Sequence, residues 1–270
     1  MAKYPPLSLQ FPTALFFFFV FCVILPPSVS LTVETQALLK FKNQLQDPFN
    51  CLESWKDSAD SPCQFAGITC HEGRVTEISL DNKSLSGQIS PSISALQSLT
   101  SLVLPSNLIS GKLPWQLTNC SNLKVLNLTG NKHDWNLPDL SSLRNLQILD
   151  LSANYFSGRF PAWVGNLSGL VGLGLGFNEY DEGEIPESLG NLKNLTWIFL
   201  AGSHLRGEIP ESIFGLEALE TLDICRNNIS GMFPKSISKL RNLNKIELYV
   251  NNLTGEIPPE LAKSHPFAGN

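Results

Sequence analysis

Three groups of residues in this sequence have types and spacings that could do chemistry. Cys63 and Cys70 enclose a short segment, with Pro62 before it and Gly67 inside it. Such a thiol pair can close a disulfide or supply half of a zinc site, and the zinc reading is weakened because no second ligand pair stands at zinc-binding spacing. Gly172, Gly174 and Gly176 alternate as in a phosphate-cradling loop. The sixth position there is Phe177, the segment reads as a strand and no helix follows, so the nucleotide reading fails. His71, His133, His204 and His265 are scattered, and none has a cysteine or carboxylate at ligand spacing. His133 and His204 are expected to be partly exposed. No nucleophile elbow, metalloprotease or kinase motif is present, so the chain is expected to be no enzyme, with no metal and no cofactor. Asn82, Asn119, Asn127, Asn166, Asn194, Asn228 and Asn252 each begin an Asn-x-Ser/Thr sequon. They are candidate glycosylation sites if the chain is secreted.

The amino terminus says that it is. Lys3 is the only charge before Glu34, and the apolar run Ala14–Leu25 is too short to span a bilayer but suits a signal-peptide core. Pro26 and Pro27 end it, and Ser28 and Ser30 supply small residues for cleavage before Leu31. Residues 1–30 are therefore assigned as a signal peptide, with a secreted, extracellular destination. In an oxidising compartment Cys63 and Cys70 are expected to pair. Cys120, at an apolar position, is expected to be a buried thiol. Cys225 stands beside a strand, and Cys51 has no evident partner.

The elements that must position these groups are set by a repeat. The chain of 270 residues holds 44 leucines, 16% charged residues and a net charge of −5. That acidic balance argues against a nucleic-acid binder, which needs a basic face. The pattern Leu-x-x-Leu-x-Leu-x-x-Asn-x-Leu-x-Gly-x-Ile-Pro recurs eight times, with its second anchor at Ile78, Leu102, Leu126, Leu149, Leu173, Ile198, Leu222 and Ile246. Steps of 23 to 25 residues between anchors define a leucine-rich repeat solenoid. Leu-x-Leu has period 2, so both leucines face the core and the intervening residues face outward on a concave surface. Asn107, Asn131, Asn154, Asn178, Asn227 and Asn251 fall where the chain leaves the strand, and are expected to bond the backbone of neighbouring coils. Lys83 and Ser203 take that place in the other two coils. Coil three departs further, with His133 and Trp135 for the usual Leu and Gly and one residue missing. Coil five carries the insertion Asp181-Glu182-Gly183. Residues 31–73 read as a cap, with a helix expected over Glu34–Leu45, and residues 74–268 as the eight repeats, the last uncapped.

On the outward strand positions, coil five gives Gly172, Gly174, Gly176 and Phe177, and coil six Trp197, Phe199, Ala201 and Gly202. Coil seven gives Thr221, Asp223, Cys225 and Arg226, and coil eight Lys245, Glu247, Tyr249 and Val250. Exposed aromatics beside a glycine floor suit a recognition surface. Phe177, Trp197, Phe199 and Tyr249 are the expected anchors for an extended peptide, with Asp223, Arg226 and Glu247 as polar neighbours. Asn127 lies on a strand of the same face, where a glycan would obstruct it.

The Leu-x-Gly-x-Ile-Pro signature, the Cys63–Cys70 cap with Phe65 where Trp is common, and the segment from Leu173 to Trp197 resemble plant leucine-rich repeat receptor-like kinases. Within them the chain is most similar to peptide-hormone receptors, in particular the receptors for C-terminally encoded peptides. The resemblance implies an α/β solenoid: a plant-type right-handed superhelix with short parallel concave strands and a helical, disulfide-bonded N-terminal cap. It implies a plasma-membrane protein with a long ectodomain, one transmembrane helix and a cytoplasmic serine/threonine kinase. It further implies a secreted, proline-rich peptide ligand on the concave side and a co-receptor kinase docking near later repeats. Later repeats, membrane helix and kinase motifs do not occur in this sequence, so it is expected to be a truncated ectodomain. The alternative is a secreted inhibitor of cell-wall-degrading enzymes similar to polygalacturonase-inhibiting proteins.

Overall fold

The structure, a computed structural model, describes residues 32–257 and residue 259. The expected signal peptide, Cys22, the cleavage site before Leu31, and Leu261 and His265 lie outside the described residues. The first element is the helix Val33–Lys42. The side chain of Thr32 accepts from the Thr35 N–H at 3.0 Å, satisfying one of the orphan donors of the first turn. Glu34 near its start and Lys40 and Lys42 at its end complement the helix dipole. Leu38 and Phe41 are buried and Leu39 packs half-buried beside them. The helix is shorter than expected at its far end. Leu45 and Gln46 instead pair antiparallel with Ser86–Gly87 of the first coil. The Gln44 carbonyl accepts from the Gln88 N–H at 3.1 Å, so this segment's backbone is spent on the coil rather than on a last helical turn.

Trp55 anchors the rest of the cap. It is buried, stacks on Phe65 with ring centroids 5.5 Å apart, and donates from Nε1 to the Ala66 carbonyl at 2.9 Å. Cys63 and Cys70 form the expected disulfide, bridging the 3-10 turn Pro62–Gln64 to the strand Ile68–His71. Buried Glu34 pairs with Arg74 at 2.8 Å and accepts from the Val75 N–H at 3.1 Å, tying the helix to the first coil.

A nine-stranded sheet runs the length of the solenoid. Ile68–His71 lies antiparallel to Arg74–Ser79, and every later pairing in this sheet is parallel. The register is constant. Ile78, Leu102, Leu126, Leu149, Leu173, Ile198, Leu222 and Ile246 form one unbroken row of partners. From Ile78 to Leu222 they are buried. The six repeat asparagines act as expected. Asn131, for example, donates from Nδ2 to the Leu104 carbonyl of the preceding coil at 2.9 Å and to its own Leu128 carbonyl at 3.0 Å. Its Oδ1 accepts from the Ile109 N–H at 3.0 Å.

The residue before each of these positions is left-handed whatever its type. Asn82, Ser106, Gly130, Ala153, Phe177, Gly202, Arg226 and Val250 all have φ between +50° and +67°. The two coils without Asn carry a second left-handed residue just after, Ser84 and His204. There the N–H groups of Lys83 and Ser203 donate to Asn107 and Asn227 of the next coil. The local chain bends further so that one amide oxygen serves two donors.

Beyond each Asn the chain makes a second short extended segment and, in six coils, a 3-10 turn entered through Ser90-Pro91 or through Pro114, Pro161, Pro186, Pro210 or Pro234. These second segments do not form one continuous sheet. At the insertion in coil five, Glu179–Tyr180 pairs back to Ser157–Gly158 while Gly183–Glu184 pairs forward to Leu205–Arg206. In shortened coil three, only single bridges, Ser110 with Lys132 and Asn136 with Ser157, hold the ladder. His133 is fully buried there rather than partly exposed. It fills the place of the usual Leu, stacks on Phe156 at 5.4 Å, and bonds the Gly111 carbonyl through Nδ1 at 2.9 Å. His204 is exposed, as expected.

Candidate functional site

The outward strand positions of coils five to eight bring the expected residues together, and the constant register fixes their order. Gly172, Trp197, Thr221 and Lys245 are partners in one row; Gly174, Phe199, Asp223 and Glu247 in the next. The glycines are not an exposed floor. All three of Gly172, Gly174 and Gly176 are buried, because neighbouring side chains lie flat across them. A Cβ on Gly172 would collide with the indole of Trp197, and one on Gly176 would lie 2.7 Å from the Phe199 ring. Phe177 covers Gly202 in the same way. Phe177 and Phe199 meet edge to face at 5.7 Å. Side-chain-free backbone thus lets three large rings pack against it, Trp197 over Gly172, Phe199 over Gly176 and Phe177 over Gly202, with the two phenyl rings 61° apart in plane. Trp197 and Phe199 are half-buried and Phe177 exposed.

The polar residues form a second patch alongside. Arg226 places its guanidinium over the Tyr249 ring, 5.8 Å from the centroid. Lys245 pairs with Glu247 at 2.9 Å and holds that carboxyl below its ordinary range. Asp223 and Cys225, read from the sequence as outward-facing, are both buried. The Cys225 N–H donates to Asp223 Oδ1 at 3.1 Å, which folds the Asp223 side chain back onto its own strand end. Burial pushes the Asp223 carboxyl up, and the facing Glu247 carboxylate adds to that. Burial likewise raises the Cys225 thiol. Asp223, Cys225 and Glu247 offer ligand atoms within 4.8 Å of one another. The ammonium of Lys245 already supplies a cation to Glu247.

Two residues join this face that periodicity did not single out. Tyr155 and His204 line, with Phe177 and Gly202, a recess of about 330 Å³. Tyr155 follows a repeat Asn, a position whose exposure is visible in the pattern but whose proximity to coil six is not. Of the sequon asparagines, Asn82, Asn119, Asn166, Asn194, Asn228 and Asn252 are exposed. Asn127 is half-buried, its Oδ1 accepting from the Thr129 N–H at 3.0 Å. Cys120 is a buried free thiol, raised to about 11 by burial, and Cys51 is free and half-buried.

The face can grip an extended chain. It offers apolar ring area, one cation over an aromatic ring and one ion pair. Among the described residues no helix is long and apolar enough to cross a membrane.

Comparison with known proteins agrees with the solenoid fold. A leucine-rich repeat N-terminal domain matches residues 31–71, and leucine-rich repeat models match residues 145–167 and 193–253. Receptor protein-tyrosine kinase CEPR2 of Arabidopsis thaliana is 58% identical over 194 residues, covering 71% of this chain and 19% of that protein. The Arabidopsis receptor kinase HAESA, solved with the peptide hormone IDA and the co-receptor SERK1, superposes with a TM-score of 0.72 at 32% identity. That match covers 87% of this chain and 44% of the solved one. The plant peptide hormone receptor RGFR1 in complex with RGF2 gives 0.65 at 32% identity, over 70% of this chain and 30% of that one. The chain therefore spans about a fifth of the kinase it matches and less than half of these receptor structures.

Proposed function

We propose that this chain, a leucine-rich repeat ectodomain closely matching those of plant leucine-rich repeat receptor-like kinases, is the extracellular hormone-binding portion of such a receptor in plant signalling. The ligand is an extended secreted peptide, taken on the concave face. The observation that carries this reading is the cluster of Phe177, Trp197 and Phe199 on adjacent coils beside the Arg226–Tyr249 and Lys245–Glu247 pairs. Parallel strands about 4.8 Å apart make eight coils a face of roughly 38 Å, long enough for about eleven extended residues. The face presents side chains rather than a strand edge, so affinity comes from ring contacts and charge pairing. Solved receptors of the same solenoid carry peptide hormones, which favours this reading over an inhibitor of cell-wall-degrading enzymes. A signal peptide over residues 1–30, glycosylation at the exposed sequons, and a co-receptor kinase acting on the complete receptor belong to the same proposal.

Isothermal titration calorimetry of the chain with a synthetic C-terminally encoded peptide tests it. Saturable binding is expected, and Trp197→Ala or Phe199→Ala should each cost about 2 kcal/mol, near thirtyfold in affinity. Unchanged affinity in both folded variants would place the site elsewhere. Inhibition of a polygalacturonase with no peptide binding would favour the inhibitor.

A further inference from the structure

Coil three pays for its irregularity and gains an indole. Trp135 stands where the repeat carries Gly, His133 replaces the usual Leu, and the coil is one residue short. The cost is visible. The second-segment ladder is reduced to single bridges on both sides of the coil, and the buried Nε2 of His133 has no partner among the described residues. Where a repeat gives up its own consistency, the break marks a candidate functional site. On the neighbouring coil, Trp115 occupies a position that holds Ala162, Glu187, Glu211 and Lys235 elsewhere. Trp115 is 63% exposed and Trp135 50%. Both line one open groove of about 610 Å³, within the size range of small-ligand sites. The groove lies on the side of the solenoid carrying the second segments and 3-10 turns, away from the strand face proposed for peptide.

We infer that this groove is a binding site for a neutral, β-linked pyranose oligosaccharide. Exposed indole rings offer flat apolar faces to the C–H face of an equatorially substituted sugar ring. The rest of the lining supplies hydroxyl-binding groups: the primary amides of Gln88, Gln116 and Asn136. The side chains of Gln88 and Gln116 make no hydrogen bond among the described residues. Each primary amide presents a donor and an acceptor together, matching hydroxyls that do both. A polyproline segment also suits an aromatic-lined groove, but it has no N–H groups and would leave the Gln88 and Gln116 amide oxygens unanswered; Asn136 Oδ1 already accepts from the Ser157 hydroxyl at 3.3 Å. No carboxylate lines the groove, and its one charge, Lys112, sits 4.0 Å over the Trp135 ring. That ammonium disfavours a cationic sugar. This inference is independent of the peptide-hormone reading, since it uses another face and another ligand.

The test is tryptophan fluorescence and ligand-observed saturation-transfer NMR with cellohexaose, the glucosamine hexamer and decaproline, on protein whose own N-glycans have been removed enzymatically. Cellohexaose should give a saturable response, with transfer concentrated on the ring C–H protons. The glucosamine hexamer should bind more weakly. Trp115→Ala and Trp135→Ala should each weaken binding at least tenfold, and Trp115→Phe should recover part of it; both positions are exposed, and a thermal melt checks that each variant folds. A response to decaproline but not to cellohexaose overturns the inference. So does equal or tighter binding of the glucosamine hexamer, an unchanged affinity in both alanine variants, or no response of the wild-type chain. A fluorescence change on glycan removal alone, with no response to added sugar, would show the groove to be covered by the chain's own glycan and would overturn it as well.

Discussion

At the scale of single residues, the repeat asparagines tie one coil to the next by hydrogen bonds. Replacing Asn131 by Ala would strand the buried Ile109 N–H, while the Leu104 and Leu128 carbonyls would keep the amides of Asn107 and Asn154. One stranded buried donor should cost about 1–3 kcal/mol, read as a lowered urea midpoint. His133 sets a pH dependence. Burial lowers its pKa, against the Gly111 carbonyl and Asp134, which both raise it. The folded chain therefore holds a neutral ring, while the unfolded chain binds a proton near pH 6.5. Stability from this residue is present above that value and lost progressively as pH falls below it through the lower pKa of the folded ring. His133→Leu, which restores the repeat, should flatten the change in urea midpoint between about pH 7.5 and about pH 5. An equally steep profile in the variant would place the titration elsewhere. The asparagine role was legible because it recurs at a fixed offset from the leucines. The burial of Asp223 and His133 was not, because each depends on what a neighbouring coil lays over or under it.

At the scale of elements, the sheet decides which side chains can lie flat. Gly176 is covered by Phe199, and Gly176→Ala would push a methyl to 2.7 Å from that ring. Overpacking of this kind costs about 1–3 kcal/mol, and the displaced ring should weaken peptide binding in the same calorimetric assay. Gly183→Ala, with its nearest neighbour at 3.7 Å, should stay within about 0.5 kcal/mol in a thermal melt. Periodicity revealed the strands, since all eight anchors take one register, but it could not show which outward residues shelter their neighbours. The first helix teaches the same lesson. Leu45 has the right spacing for the apolar face, yet its backbone pairs with Gly87, a partner that no local pattern announces.

At the scale of the whole molecule, stability is a sum over neighbouring coils, so a gap in one of the two ladders is a local weakness. The insertion at residues 181–183 leaves the second-segment sheet split while the main sheet continues past it. Limited digestion with a glutamate-specific protease should cut first after exposed Glu182. The two pieces should migrate together in native buffer and separate in urea, because the strand Gly172–Gly174 still pairs with Trp197–Phe199. A first cut within a 3-10 turn would show that the ladder gap is not the weak point.

The unbroken row from Ile78 to Ile246 also bears on how such a gene can change. Misaligned recombination between two coils at the same phase joins a core to an equivalent core, so it adds or removes a whole coil and leaves every remaining leucine seated. A crossover out of phase puts polar residues inside and yields no folded product. Length is thus inherited in coil-sized steps, each lengthening or shortening the strand face by one strand. Coils three and five, whose residue counts differ from the rest, are the landmarks by which an exchange in a related gene could be located.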